Sequence, residues 1–395
     1  MGRCRCLRGP RSPTGRAHPH ARSTIATQFM KDEYSDGKSD LFAAFFYRTL
    51  GLVEHGGQLG FMSPFVWMFI SSYQKVRERF TQDETITSLI QLEYSGFDGA
   101  TVPICAFTLQ RGHIEFKAAY VRLSNFVGAA QQAPRALEII QAGVAEEHGQ
   151  RGLMPDMAEH FYRASAADFA AIPGTPVVYW LSEKMLAVFA HPPIGSRYQA
   201  KAGPGTRDDQ VFLRLHWEVD RRRVGTSNKW VLTDKAGEFR KWYAGCSYVM
   251  DWEDDGYRIR HHTNPDGSLK SRPQNTQFMF REGVTWGKVG SGETSFRWRP
   301  QGLGFNDAAP TLFGPNPFRL LGPLNSATAT LILSATGSTL NVQTGMVADL
   351  PFGDVDIPDV SQIAAQLVVG SKSDWDSNET SWSFTRNPLV ALVWV

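Results

Sequence analysis

At 395 residues, 42 % hydrophobic and 12 % aromatic, the chain exceeds one ordinary domain and can bury the cores of two. A formal charge of +2 neither demands nor excludes a nucleic-acid partner, so any basic surface must be local. No run of about 18 apolar residues occurs, which excludes an ordinary transmembrane helix. The four cysteines (Cys4, Cys6, Cys105, Cys246) make neither a disulfide framework nor a paired C-x-x-C metal site, which fits a reducing, cytoplasmic setting.

Residues 1–30 carry Arg3, Arg5, Arg8, Arg11, Arg16 and Arg22 and no acidic side chain. Transit peptides share that composition, but Pro10, Pro13 and Pro19 would break an amphipathic helix. The expectation is a disordered tail outside the fold, of the kind a misplaced start or reading frame produces. Folded pattern begins near Ser39. Asp40 caps an apolar helix reaching about Val53, and His55-Gly56-Gly57 stops it. Gln58–Ser63 reads as a strand closed by Pro64, and Val66–Phe80 as a helix. Ile86–Leu92 and Val102–Leu109 are short, apolar and bounded by Gly and Pro, so they read as buried strands, with Cys105 in the core. This order is that of the second half of a doubly wound α/β sheet.

From Val121 to Pro176 the pattern loosens into a connector with one expected helix, Arg135–His148. Beyond residue 177 aromatics, arginines, Gly and Pro interleave. Short β-like runs recur there (residues 176–181, 211–219, 275–280 and 295–300), giving a second, mixed α/β unit of irregular strands. Leu320–Gly337 and Val360–Gly370 read as helices, and residues 387–395 stop as though clipped. The expected division is a tail at 1–30, part of an α/β sheet at 31–122, a connector at 123–176, a second unit at 177–350 and a helical end at 351–395.

The run Lys38–Phe45 (KSDLFAAF) followed by Gly56–Pro64 (GGQLGFMSP) resembles the back half of the gamma-class adenine-N6 DNA methyltransferases. Further stretches, residues 86–109, 237–243, 271–286 and 373–382, are similar to the PglX methyltransferases of BREX-type phage defence. The resemblance implies a Rossmann-like methyltransferase sheet, entered here at its C-terminal half, followed by a target-recognition domain. It implies S-adenosyl-L-methionine (SAM) as cofactor and double-stranded DNA as partner, with other phage-defence proteins as possible company and no membrane. The implied reaction methylates adenine N6, for which the base is flipped from the helix and stacked between side chains. Phe97, in the loop between the two late strands, occupies the position of one stacking wall, and Gly96 and Gly99 would let the backbone approach the base. The alternative is that Phe97 packs under a hairpin. Asp40 and Phe42 correspond to positions near the SAM pocket, against plain roles as helix cap and core residue. The sequence departs from the family in two ways: it has no Asn-Pro-Pro-Tyr motif, and no glycine-rich turn precedes residue 39. The expectation is therefore a fragment in which catalysis by this chain alone is improbable.

In the second unit the resemblance points to DNA contacts among Arg207, Arg214, Arg222, Lys229, Arg240, Lys241, Arg272, Arg297 and Arg299. Gln274 and Asn275 are candidate adenine readers, arginine being suited to guanine. Arg221–Arg223 looks like a phosphate-facing loop, and Trp217, Trp230, Trp242, Tyr243 and Trp298 sit among these residues. Any single surface arginine is more often merely solvated, and Trp217, Trp242 and Trp286 are more often core than contact. Adjacent His261 and His262 would point to opposite faces of a strand, so no metal site is expected. Two other readings remain open: a non-catalytic DNA-binding specificity module that needs a partner chain, and an inert remnant whose open sheet edge near residue 58 would aggregate.

Overall fold

The computed structural model describes residues 24–99, 102–150, 154–170, 172–290, 293–336, 341–353 and 358–391. The arginine-rich stretch 1–23, the helix end expected at Gly337 and residues 392–395 lie outside them. Residues 24–30, expected to be tail, belong instead to helix α1 (Thr24–Glu33), whose Met30 is buried. Helix α2 (Leu41–Leu50) starts where the sequence put it: Asp40 is extended and its carboxylate accepts the Leu41 N–H at 2.6 Å. Its inner stripe Ala43, Ala44, Phe46 and Leu50 is buried, with Phe46 edge-on to Phe61, Trp67 and Phe107.

Strand β1 (Gln58–Pro64) follows. The expected helix from Val66 is two 3-10 turns, Phe65–Met68 and Ser71–Tyr73, before helix α3 (Gln74–Gln82). The cause is visible in the hydrogen bonds. The buried Arg77 guanidinium takes the Trp67 and Ile70 carbonyls, both at 2.8 Å, which a continuous α-helix would keep for its own amides. Strands β2 (Thr85–Gln91) and β3 (Ile104–Gln110) match the expected segments to within one or two residues at each end. Two unexpected strands then join the sheet, β4 (Lys117–Arg122) and β5 (Phe161–Ser165). Between them runs helix α4 (Ala129–Glu147), which starts before Arg135 because it accommodates Pro134 internally.

The first sheet has the order β1-β3-β2-β4-β5. Strand β3 is antiparallel to both β1 and β2, so these two run parallel, and β4 is parallel to β2. Residues 176–181, read as strand-like, form no strand. Val177, Val178 and Tyr179 are buried, and Val177 N–H donates to Met68 O at 3.0 Å. This segment is pressed onto the sheet from above, and burial on every side mimics a central strand.

The second unit holds two four-stranded sheets. One has the order β11 (Phe296–Arg299), β10 (Gly283–Trp286), β13 (Thr311–Phe313), β6 (Gln199–Lys201); the other is β12 (Gly304–Phe305), β8 (Trp230–Asp234), β9 (Tyr248–Asp251), β7 (Leu213–Leu215). Residues 211–219 thus contribute only a short strand. Residues 275–280 contribute a 3-10 turn, Thr276–Phe278, rather than a strand. The helix expected over Leu320–Gly337 is broken into α5 (Phe318–Leu324) and α6 (Ala327–Thr336). Asn325 makes the break: its amide oxygen accepts Phe296 N–H and its amide nitrogen donates to Phe296 O, both at 3.0 Å. Helix α7 (Pro358–Asp376) runs longer than expected and buries Ala364 and Val368 in the core formed by Trp286, Phe296, Leu320 and Leu324. No helix among the described residues is long and apolar enough to cross a membrane.

Candidate functional site

Cross-strand partners in register share a face of the sheet. The pairings Ser63↔Cys105, Cys105↔Gln91 and Gln91↔Arg122 therefore line up four side chains across the carboxyl ends of β1, β2 and β4. In open α/β sheets this is the end where ligands bind. Ser63 Oγ lies 4.0 Å from Cys105 Sγ, and Tyr179 Oη donates to Gln91 Oε1 at 2.7 Å. Burial pushes the Cys105 thiol up to about 12, so it is an inert core group and not a nucleophile.

Two loops rise from this end and are fastened together. The buried Gln132 of α4 accepts Glu93 N–H at 3.0 Å through Oε1, while Nε2 donates to Phe126 O and to Gly128 O at 2.5 and 3.1 Å. Glu93 in turn caps Ser95, accepting from its backbone N–H at 2.9 Å and its hydroxyl at 2.5 Å. The loop after β2 thus stands on a fixed base and presents Tyr94 and Phe97, 62 % and 48 % exposed. Gly96 serves a different purpose from the one expected. A Cβ there would lie 2.8 Å from Gln132 Oε1 and from Glu93 O, so the glycine is needed for seating the loop on α4. Gly99 has φ +76 with open space around it, a turn position that suits glycine. Tyr94 was missed in the sequence, although an aromatic in the same loop was the available signal. Gln132→Ala should unfasten this base: amide exchange at residues 93–97 is expected to speed up by one to two orders of magnitude, given about 1–3 kcal/mol per unsatisfied buried group. Unchanged exchange would mean the loop is held elsewhere.

Asp40 and Phe42, expected near a SAM pocket or else as helix cap and core residue, make the following contacts. Asp40 caps α2, and Phe42 is half-buried with its ring 5.3 Å from Tyr73 and 5.5 Å from Phe46. These are the cap and core roles.

The basic candidates of the second unit fall into distinct groups. Arg207 and Arg272 come together across a two-bond bridge, Gly205 N to Arg272 O at 2.9 Å and Arg272 N to Gly205 O at 2.7 Å. Both are exposed, and neither has an ion pair among the described residues. Arg207 is held at φ +56, a left-handed conformation that costs a non-glycine residue about 1–3 kcal/mol. Gln274 and Asn275 sit beside them, but their amide nitrogens donate to Gly203 O at 3.0 Å and Ala202 O at 2.8 Å. Each amide thus gives one of its two N–H donors to the backbone next to the bridge.

The remaining candidates are tied more firmly. Arg222 is exposed and paired with Asp220 at 2.9 Å. Arg214 donates to Leu213 O at 2.6 Å, and Lys229 lies 3.0 Å from Glu253. Arg240 pairs with Asp374 and Lys241 donates to Asn325 O at 3.2 Å, holding α7 and α5 to the sheets. Arg297 and Arg299 are buried, 4 % and 1 % exposed, and so cannot reach a ligand. Arg297 faces Asp234 at 3.7 Å, and Arg299 donates to the Arg281 and Leu303 carbonyls. Burial lowers the Arg299 guanidinium to about 10. Of the aromatics, Trp286 and Tyr243 are core, while Trp217 is exposed. His261 stacks on Tyr257 with ring centroids 4.1 Å apart, His262 lies 3.6 Å from Asp208, and no metal-holding group exists among the described residues.

Residues 19–97 match the family described as Eco57I restriction-modification methylase. Across 93 % of its length the chain is 29 % identical to an adenine-specific methyltransferase PglX of Lacticaseibacillus casei (strain Zhang). It is likewise 29 % identical over 92 % of its length to an adenine-specific methyltransferase BrxX of Escherichia coli O9:H4 (strain HS). The homologues thus bear the names that the sequence motifs suggested, and the similarity runs along nearly the whole chain. The chain spans 31 % and 29 % of these relatives' own lengths. Among solved structures, a nuclease-deletion mutant of the Type ISP restriction-modification enzyme LlaGI is similar at a TM-score of 0.45 and 9 % identity, over 85 % of this chain and 37 % of that one.

Proposed function

We propose that this chain is the back half of an adenine-N6 DNA methyltransferase sheet joined to its target-recognition unit, and that it acts with a SAM-binding half it does not itself contain. The observation that carries the reading is the Phe97 loop, clamped by Gln132 at the carboxyl ends of parallel β1 and β2, with antiparallel β3 between them. That end is where a flipped base would be received, and an exposed aromatic on a rigid base is what stacking needs. The open side of the sheet supports the same view. Among the described residues strand β1 pairs with β3 alone, and Leu41, Phe45 and Met62 are each more than half exposed. A further strand and its helices would cover them.

In this reading residues 31–122 belong to the catalytic sheet and 177–350 to DNA recognition. Double-stranded DNA is the partner and SAM the cofactor of the complete enzyme. The chain's own residues hold a base and position a duplex; the methyl donor and the groups that polarise N6 come from the other half.

The test joins the chain to the preceding part of a PglX relative and compares Phe97→Ala with the unmodified fusion. Methylation of DNA is expected to fall at least tenfold while duplex affinity changes less than twofold, because the ring holds only the flipped base, at about 1–3 kcal/mol of stacking. Equal losses in both would make Phe97 structural. A fusion that binds DNA but never methylates it would favour the specificity-module reading.

A further inference from the structure

Arg122 was not among the residues the sequence singled out, yet it stands at the end of the row Ser63–Cys105–Gln91–Arg122, one strand from the root of the Phe97 loop. Its guanidinium carbon lies over Trp180, 4.2 Å from the ring centroid. Trp180 is itself braced edge-on by Tyr179 at 5.0 Å, and Tyr179 is anchored to Gln91. The Arg122 amide donates to His160 O at 3.1 Å, which fixes the backbone from the β5 side. No carboxylate forms an ion pair with Arg122 among the described residues, and its Nε is sealed from solvent without a hydrogen-bond partner.

Arg77 hands its donors to three carbonyls of its own chain. Arg122 instead has no carboxylate partner among the described residues and stands over an aromatic ring, beside the Tyr162 hydroxyl, at the carboxyl end of the sheet. With Nε sealed, a guanidinium covered on one face by a ring can offer its Nη donors to an anion, and such a pair suits phosphate oxygens.

We infer that Arg122 on its Trp180 shelf is a phosphate-binding subsite for the DNA strand that carries the flipped base. The inference rests on the DNA reading proposed above and deepens it: Phe97 takes the base, and Arg122 takes a backbone phosphate on the same side of the sheet. A base leaving the stack swings about its own backbone, so a fixed cation near the pocket mouth would hold the strand in the extruded geometry. Trp180 acts as a positioning residue, setting the plane of the guanidinium.

The experiment uses the full chain and a fluorescein-labelled 30-base-pair duplex, with anisotropy titrations at potassium chloride concentrations from 50 to 200 mM. Arg122→Gln is expected to reduce the slope of log affinity against log salt by about 0.9, the loss of one phosphate contact. Arg122→Lys keeps the charge and should restore most of that slope, which a merely structural arginine would not allow. Trp180→Leu should weaken binding several-fold while leaving the slope nearly intact, since the charge remains but loses its fixed plane. An Arg122→Gln protein that melts like the parent and keeps its slope overturns the inference. So does equal loss in the glutamine and lysine variants together with a lowered melting temperature. A parent chain whose affinity does not respond to salt at all overturns the DNA reading itself, and the subsite with it.

Discussion

Arg77→Met is expected to destabilise the chain by roughly 3–5 kcal/mol, the range for leaving a buried polar arrangement without its partner. The guanidinium is 1 % exposed and makes four hydrogen bonds: Nε and Nη2 to Gly174 O at 2.9 and 2.7 Å, and Nη1 to Trp67 O and Ile70 O at 2.8 Å. Burial disfavours the charged form, lowering the group to about 10. Swapping a buried ion pair for apolar side chains is often harmless because both charges leave together. Here the acceptors are backbone carbonyls and cannot be removed with the arginine. Methionine would fill much of the space and leave Trp67 O and Gly174 O without this donor, while Ile70 O keeps the Tyr73 N–H at 3.0 Å. A urea midpoint that falls while the m-value stays constant is the expected signature. A midpoint within 0.5 kcal/mol of the parent would show that water reaches those carbonyls. Lysine at the same position keeps the charge but cannot reach three divergent acceptors, so partial recovery is expected.

The largest effect on DNA binding is expected from Arg207→Gln combined with Arg272→Gln. Each is exposed without an ion pair among the described residues, and the Gly205–Arg272 bridge brings them side by side. If both neutralise phosphates, the salt slope should fall by about 1.8, and affinity near 100 mM salt by on the order of tenfold to a hundredfold. Arg222→Gln is the internal comparison. Arg222 is also exposed, but Asp220 already offsets it at 2.9 Å, so a smaller loss is expected. An unchanged slope in the double variant, with Arg222→Gln just as harmful, would move the interface to the Arg221–Arg223 turn.

Where side-chain pattern and local chemistry agree, the sequence was readable. Helix α2 has an acidic cap and an apolar stripe, although it ends at Leu50 with Gly51 as its cap, before the expected end near Val53 and the stop at His55-Gly56-Gly57, and β1 to β3 are runs bounded by turn residues. The failures share a cause, which is that long-range partners overrode local pattern. Residues 65–73 look helical, but Arg77, Trp67 and Met68 are drawn into the core and the carbonyls go to a side chain. The stretch Phe296–Arg299 was correctly read as strand-like, and alternation then places Arg297 and Arg299 on one face and Trp298 on the other. Which face turns inward is not written in a period of two. The usual assumption that arginines face water fails because Asp234 and two carbonyls await them inside. Arg122 was hidden for a similar reason: its shelf, Trp180, arrives from a segment 58 positions later that pattern alone read as strand-like.

Strand β6 pairs with β13, Gln199 opposite Phe313. That contact closes a loop of about 110 residues, and contacts so distant along the chain slow folding and come late. The first sheet needs nothing beyond Ser165 to complete its five strands. On a ribosome, the amino-terminal sheet would be assembled and holding its aromatic core while β6 still waited for a partner not yet synthesised. The two units therefore differ in when they exist as well as in what they contain, and the interval in which β6 and its neighbours stand unpaired is the period in which a nascent chain of this kind most needs protection.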